Sequence, residues 1–158
     1  MKRYQSLLIL TVIIGLTGFS RLDKNQPQQT IDLRGTWNLM AFKYGSDEKF
    51  SDVPEFVKYV KNITRSHFSW ASYDEEGNIV GAGGGTYAVE GDKYIEKIDF
   101  FHPPGSSLSG TSVTFNFTLE GNKWTISGYI KSLNLDPNSG EWSPIDSIKL
   151  EEVWVRTM

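Results

Sequence analysis

Val113-Thr114-Phe115-Asn116-Phe117-Thr118-Leu119-Glu120-Gly121-Asn122-Lys123-Trp124-Thr125-Ile126-Ser127-Gly128-Tyr129-Ile130 decides the fold class. Val113, Phe115 and Phe117 alternate with Thr114, Asn116 and Thr118, the period of a strand with one wet face. Glu120-Gly121-Asn122 is a tight turn, after which Trp124, Ile126, Gly128 and Ile130 alternate with Thr125, Ser127 and Tyr129. Two such runs joined by a short glycine-containing turn make an antiparallel hairpin.

The pattern repeats outward in both directions. Upstream, strands are expected over about 33–43, 62–73, 79–89 and 93–101; the first strand of the quoted hairpin covers about 110–119. Asp74-Glu75-Glu76-Gly77-Asn78 and Glu90-Gly91-Asp92 are the turns between successive runs. On the first strand Gly35, Trp37, Leu39 and Ala41 share a face; on the fourth, Tyr94, Glu96, Ile98 and Phe100 do. Downstream, Asn134 to Pro144 is a polar loop carrying Trp142, and the last strand puts Ile148, Leu150, Glu152, Trp154 and Arg156 on one face. Seven strands joined mostly by short hairpins form a meander, and a meander of this length removes its exposed edges by closing into an up-and-down barrel. An eighth strand would come from splitting the run at 62–73 or at 79–89, or from residues 131–146. Asp52-Val53-Pro54-Glu55-Phe56-Val57-Lys58-Tyr59-Val60 reads as a short helix: Pro54 suits a first turn, and Phe56, Val57 and Val60 share one helical side.

Composition narrows the function classes. The chain has 158 residues, which argues for one domain, and 13% aromatic residues supply a core. Lys2 and Arg3 precede an apolar run from Leu7 to Leu16, and Gly18 and Ser20 are small residues at a cleavage position; residues 1–20 therefore read as a secretory signal peptide cut near Ser20, directing the chain to the periplasm or medium. Residues 21–31 read as a flexible polar tail and 32–158 as the barrel domain. Losing Lys2 and Arg3 takes the formal net charge from −3 to −5, which argues against nucleic acid and anionic membrane surfaces. Zero cysteines exclude disulfides, thiolate metal sites, thiol nucleophiles and a lipid anchor through cysteine.

Gly35-Thr36-Trp37 on the first strand, with Arg156 at the end of the last, resembles the lipocalin (calycin) signature. ITRSHFSWASYDEEGN, GGGTY, YIEKI and EVWVR extend the resemblance over about 33–156, specifically toward small exported bacterial lipocalin-like domains of unknown function. The resemblance implies an antiparallel barrel of about eight strands in which the arginine packs over the tryptophan at the closed end. It also implies binding of a small hydrophobic or amphipathic molecule. The second and third lipocalin motifs are not recognisable here.

Candidate site residues follow from strand faces. Phe68, Trp70, Tyr87, Tyr94, Phe115, Phe117 and Trp124 are the aromatic candidates for the wall of a binding cavity, with Trp154 beside them. Glu96 and Arg156 are candidate polar anchors, since a carboxylate on an apolar face must be paired or face a wet cavity; Arg156 is the expected partner of Glu96 or Glu152. The run Gly81 to Gly85 leads into strand rather than helix, so it reads as a bulge or close approach and not as a phosphate loop. His67 and His102 lack metal-ligand spacing, no Gly-x-Ser-x-Gly elbow occurs, and no cofactor site is recognisable. The expected function is binding of a small hydrophobic or amphipathic molecule. The alternatives are a protein- or glycan-interaction module with a filled barrel and, further off, a calycin-type enzyme using Glu96 or His67.

Overall fold

The computed structural model describes residues 31–103, 108–135 and 142–157, with the backbone alone at 131–135 and 142–146. The expected leader at 1–20, most of the expected tail at 21–31 and the tip of the last long loop lie outside the described residues.

Among the described residues nine strands follow in order: β1 (Gly35–Tyr44), β2 (Ser51–Asp52), β3 (Val57–Ile63), β4 (His67–Asp74), β5 (Ile79–Glu90), β6 (Lys93–His102), β7 (Ser112–Glu120), β8 (Lys123–Leu135) and β9 (Trp142–Arg156). All neighbours are antiparallel, and β1 pairs with β9, so the sheet closes. β2 and β3 lie along the same edge of β1, β3 opposite Gly35–Asn38 and β2 opposite Ala41–Phe42. They are two pieces of one interrupted strand, and the barrel has eight staves. Up-and-down closure is the arrangement expected from the hairpin meander.

The helix expected over 52–60 is not there. Val53-Pro54-Glu55-Phe56 is a turn that loops out between β2 and β3, held by the Val57 amide donating to the Pro54 carbonyl at 3.1 Å. From Val57 the chain is strand, and Tyr59, Lys61 and Ile63 point inward while Lys58 and Asn62 are exposed. The i, i+1, i+4 spacing of Phe56, Val57 and Val60 was a coincidence of a β-branched, aromatic run whose real period is two. This segment supplies the eighth stave, because β1 and β4 would otherwise each present an open edge. The expected run at 62–73 is accordingly split: Thr64 to Ser66 turn between β3 and β4. Tyr87 of β5 secures that turn, its hydroxyl donating to the Thr64 carbonyl at 2.9 Å. The polar loop at 134–144 is also shorter than expected, since Leu135 already pairs with Trp142.

Two bulges set which side chains face inward. Between Leu39 and Ala41 the pairing of β1 with β9 shifts, leaving Met40 exposed. Inward residues are therefore Trp37 and Leu39, then Phe42 and Tyr44, not Ala41. The β5–β6 register shifts beside Gly84 and Gly85, so Tyr94, Glu96 and Ile98 face in, Phe100 faces out and Phe101 packs on the core. A bulge inserts one residue and swaps the faces beyond it. The glycine run is the bend that its reading as a bulge or close approach called for. A Cβ at Gly85 would lie 2.0 Å from the Lys97 carbonyl oxygen, and one at Gly83 would lie 2.7 Å from Trp70 Nε1. Only hydrogen at these positions lets β6 pair closely and the Trp70 indole lie against the barrel wall.

The closed end is packed solid. Trp37, Tyr94 and Trp124 are wholly buried, with Trp124 edge-on to both Trp37 at 5.3 Å and Tyr94 at 4.9 Å between ring centroids. The Arg156 guanidinium lies 4.4 Å from the Trp37 ring centre. It donates to the carbonyls of Asp32, at 2.8 Å, and Arg34, while Trp37 Nε1 donates to the Leu33 carbonyl at 2.8 Å. Gly35, at φ +133°, takes a backbone shape that side chains disfavour, and it leaves Arg156 Nη1 3.4 Å from where a Cβ would stand. One arginine thus ties the entering segment, the first strand and the last strand together.

Candidate functional site

Above this packed layer the barrel is hollow. A cavity of about 240 Å³ runs between the strands. Its apolar walls come from Trp70, Ile98, Phe101, Leu108, Val113, Phe115, Ile126, Ile130, Ile148, Leu150 and Trp154, and its polar lining from Tyr44, Tyr59, Lys61, Glu96 and Glu152. The inward glycines Gly81, Gly83 and Gly128 contribute no side-chain volume. Trp70 lies over the first two and Phe115 over the third. The space is small beside the roughly 300–1,000 Å³ of sites for drug-sized ligands.

Three charged side chains meet at the boundary between the packed and hollow halves. Lys61 is 4%, Glu96 5% and Glu152 8% exposed. Lys61 Nζ donates to Glu96 Oε1 at 2.8 Å. The ammonium also lies 5.0 Å from the Trp154 ring centre, 5.4 Å from Trp124, 5.7 Å from Tyr94 and 5.9 Å from Phe68. Buried charge is tolerated only with such compensation: an opposite charge in hydrogen-bond contact and π faces around the cation. Glu152 has neutral partners. The Tyr44 hydroxyl donates to its Oε1 and the Trp154 indole to its Oε2, each at 2.9 Å. Burial pushes the Glu152 carboxyl up from its ordinary value, and the Glu96 carboxylate adds to this; Lys61 and the two hydrogen bonds act the other way. Burial, followed by the Glu152 charge, likewise raises the Tyr44 phenol. Among the described residues, Trp124 Nε1 finds no hydrogen-bond partner, and the Tyr94 hydroxyl makes no hydrogen bond of good geometry although Glu96 is close enough to act on it. Tyr94's phenol is pushed well up by burial and then by Glu96.

The residues singled out from sequence divide between the two halves. Trp70, Glu96 and Phe115 line the cavity, as does Trp154. Phe68, Tyr94, Phe117 and Trp124 are buried in the core but do not line the cavity. Tyr87 is half-buried at the β3–β4 turn, and Arg156 sits on Trp37 rather than beside Glu96 or Glu152. Glu96 pairs instead with Lys61, a residue that strand parity missed because it fell between the expected helix ending at Val60 and the strand expected from Asn62. Read as a strand, Tyr59, Lys61 and Ile63 would have shown a lysine on an inward face opposite Trp70, with which it pairs across β3 and β4. Tyr44 and Phe101 were missed for a different reason: the bulges at Met40 and beside Gly84 put them on the inner face. His67 and His102 are both exposed, and among the described residues no group of three or more His, Asp and Glu side chains converges on a metal-sized site.

Comparison with known proteins bears on the fold. No protein-family profile matches the chain, and no curated protein matches it. Among solved structures, a lipocalin-like protein from Bacteroides uniformis superposes with a TM-score of 0.51 at 14% identity, over 80% of this chain and 100% of that one. The fold is lipocalin-like. An uncharacterized protein from Bacteroides eggerthii also matches, with a TM-score of 0.49 at 16% identity over 80% of this chain and 100% of that one.

Proposed function

We propose that this lipocalin-like protein is exported and binds a small hydrophobic or amphipathic molecule inside its barrel. The observation that carries the reading is the 240 Å³ cavity, walled by apolar side chains and bounded at its inner end by Lys61, Glu96 and Glu152. A pocket with apolar walls and a few convergent polar groups is the usual form of a small-molecule site. At liquid water's roughly 30 Å³ per molecule, the cavity has room for at least about eight non-hydrogen atoms, a short chain or one ring. Export rests on the leader-like residues 1–20.

The interaction-module alternative draws on exposed apolar residues, among them Phe56, Phe100 and Tyr129. The enzymatic alternative lacks a geometry: Glu96 faces the interior in an ion pair, whereas His67 is exposed beside the Thr64–Ser66 turn, its Nδ1 2.9 Å from Ser66 Oγ. Native mass spectrometry of the protein purified from its own host tests the binding reading. A co-purifying small molecule, released on denaturation, is the expected result. Its repeated absence, together with no uptake of short-chain probes, would favour the interaction module. The intact mass from the same sample tests removal of residues 1–20.

A further inference from the structure

The charges at the inner end of the cavity do not balance. Among the described residues lining it, Glu96 and Glu152 bring two carboxyl groups and Lys61 brings one ammonium. Lys61 is committed to Glu96 at 2.8 Å. Among the described residues, Glu152 accepts hydrogen bonds from a phenol and an indole N–H, which are neutral donors, while the Lys61 charge acts on it through space. A carboxylate has about four lone-pair sites, so two hydrogen bonds leave it able to accept more. A buried carboxylate with no cation in hydrogen-bond contact is costly. An anionic ligand would add a third negative group beside these two, and Lys61 could serve it only by leaving Glu96.

The walls fit a cation as well. Trp154 presents its ring to the Lys61 ammonium from 5.0 Å while its N–H holds Glu152. Tyr44, Tyr59, Trp70 and Phe101 bring further rings to the same space. Around Lys61 the protein already shows the pattern it would repeat for a guest: an ammonium against one carboxylate and several π faces. Building on the small-molecule reading above, we infer that the ligand is a small amphipathic amine, its ammonium on Glu152 and its apolar part between Ile98, Phe101, Ile130 and Ile148.

Calorimetric titration with three probes of one chain length tests this: n-hexylamine, 1-hexanol and hexanoate. The amine is expected to bind at least about tenfold more tightly than the alcohol, about the 1.4 kcal/mol worth of a modest charge-assisted contact, and hexanoate to bind most weakly. In Glu152→Gln, an isosteric change that still offers an acceptor oxygen to Tyr44 or Trp154, amine affinity should fall to the level of the alcohol while alcohol affinity stays within about threefold. An amine that binds no better than the alcohol, hexanoate binding best, or an amine preference that survives Glu152→Gln would each overturn the inference and leave barrel binding intact. Failure of all three probes to bind would overturn barrel binding itself, and the inference with it.

Discussion

Lys61→Met removes the buried ammonium while keeping an unbranched stem of similar length. In the native barrel, Lys61 Nζ and Glu96 Oε1 are 2.8 Å apart, with side chains only 5% and 7% exposed. At an effective dielectric near 20, that separation corresponds to about 6 kcal/mol of attraction. The gain is set against several kcal/mol of desolvation for each ion, so the pair as a whole contributes little net stability. Removing one partner is different: Glu96 keeps its desolvation penalty and loses its compensation. Lys61→Met should therefore cost about 3–5 kcal/mol, whereas Lys61→Met with Glu96→Leu should recover most of that loss. Urea unfolding followed by tryptophan fluorescence measures both, and the double-mutant cycle isolates the coupling. A single mutant that loses less than about 1 kcal/mol, the range of exposed ion pairs, would refute the burial argument. So would a double mutant less stable than the single.

Three other perturbations have stated outcomes. Trp37→Ala empties a wholly buried site between Trp124 and Arg156, and should cost about 3–5 kcal/mol in a urea melt with little change in probe affinity for the cavity. Gly83→Val should cost at least about 1–3 kcal/mol and weaken uptake of a short-chain probe, because a Cβ there would meet Trp70 Nε1 at 2.7 Å and drive the indole into the cavity. Burial raises the Glu152 carboxyl above its ordinary 4.5, so the folded chain holds that proton more tightly than the unfolded chain. Its contribution to stability is fully present below about pH 4.5 and declines as pH rises through the raised folded value. Glu152→Gln should remove that decline, visible as a flatter dependence of unfolding free energy on pH from 4.5 upward.

Most of the barrel was legible because its strands carry period-two runs separated by glycine turns, and such runs have few other uses. The β7–β8 hairpin is the clearest case: Val113, Phe115, Phe117, Trp124 and Ile126 are all buried as their parity requires. The closing contact of Arg156 on Trp37 was also readable, though only through the family resemblance, since nothing local joins the two ends of the chain. Residues 53–60 were misread because Pro54 and three apolar residues imitate a helix start, and local pattern cannot register that β1 and β4 lack a partner. The site suffered most from this. Lys61 lies on the misread stave, and Tyr44 and Phe101 lie just beyond bulges that depend on pairing with another strand. Glu96 and Trp70 lie ahead of any such shift, and their inward positions followed from alternation alone. The division of the aromatic residues between a packed end and a hollow end depends on depth along the barrel axis, which alternation does not encode.

A crystal structure of the protein soaked with 1-hexanol tests the binding cavity most directly, whatever charge the natural ligand carries. The expected result is continuous density for the alcohol among Phe101, Ile130, Ile148 and Leu150, with its hydroxyl toward Glu152 and the Lys61–Glu96 pair unbroken. A barrel interior filled by Trp70 and Phe101, with no room for the alcohol, would contradict it.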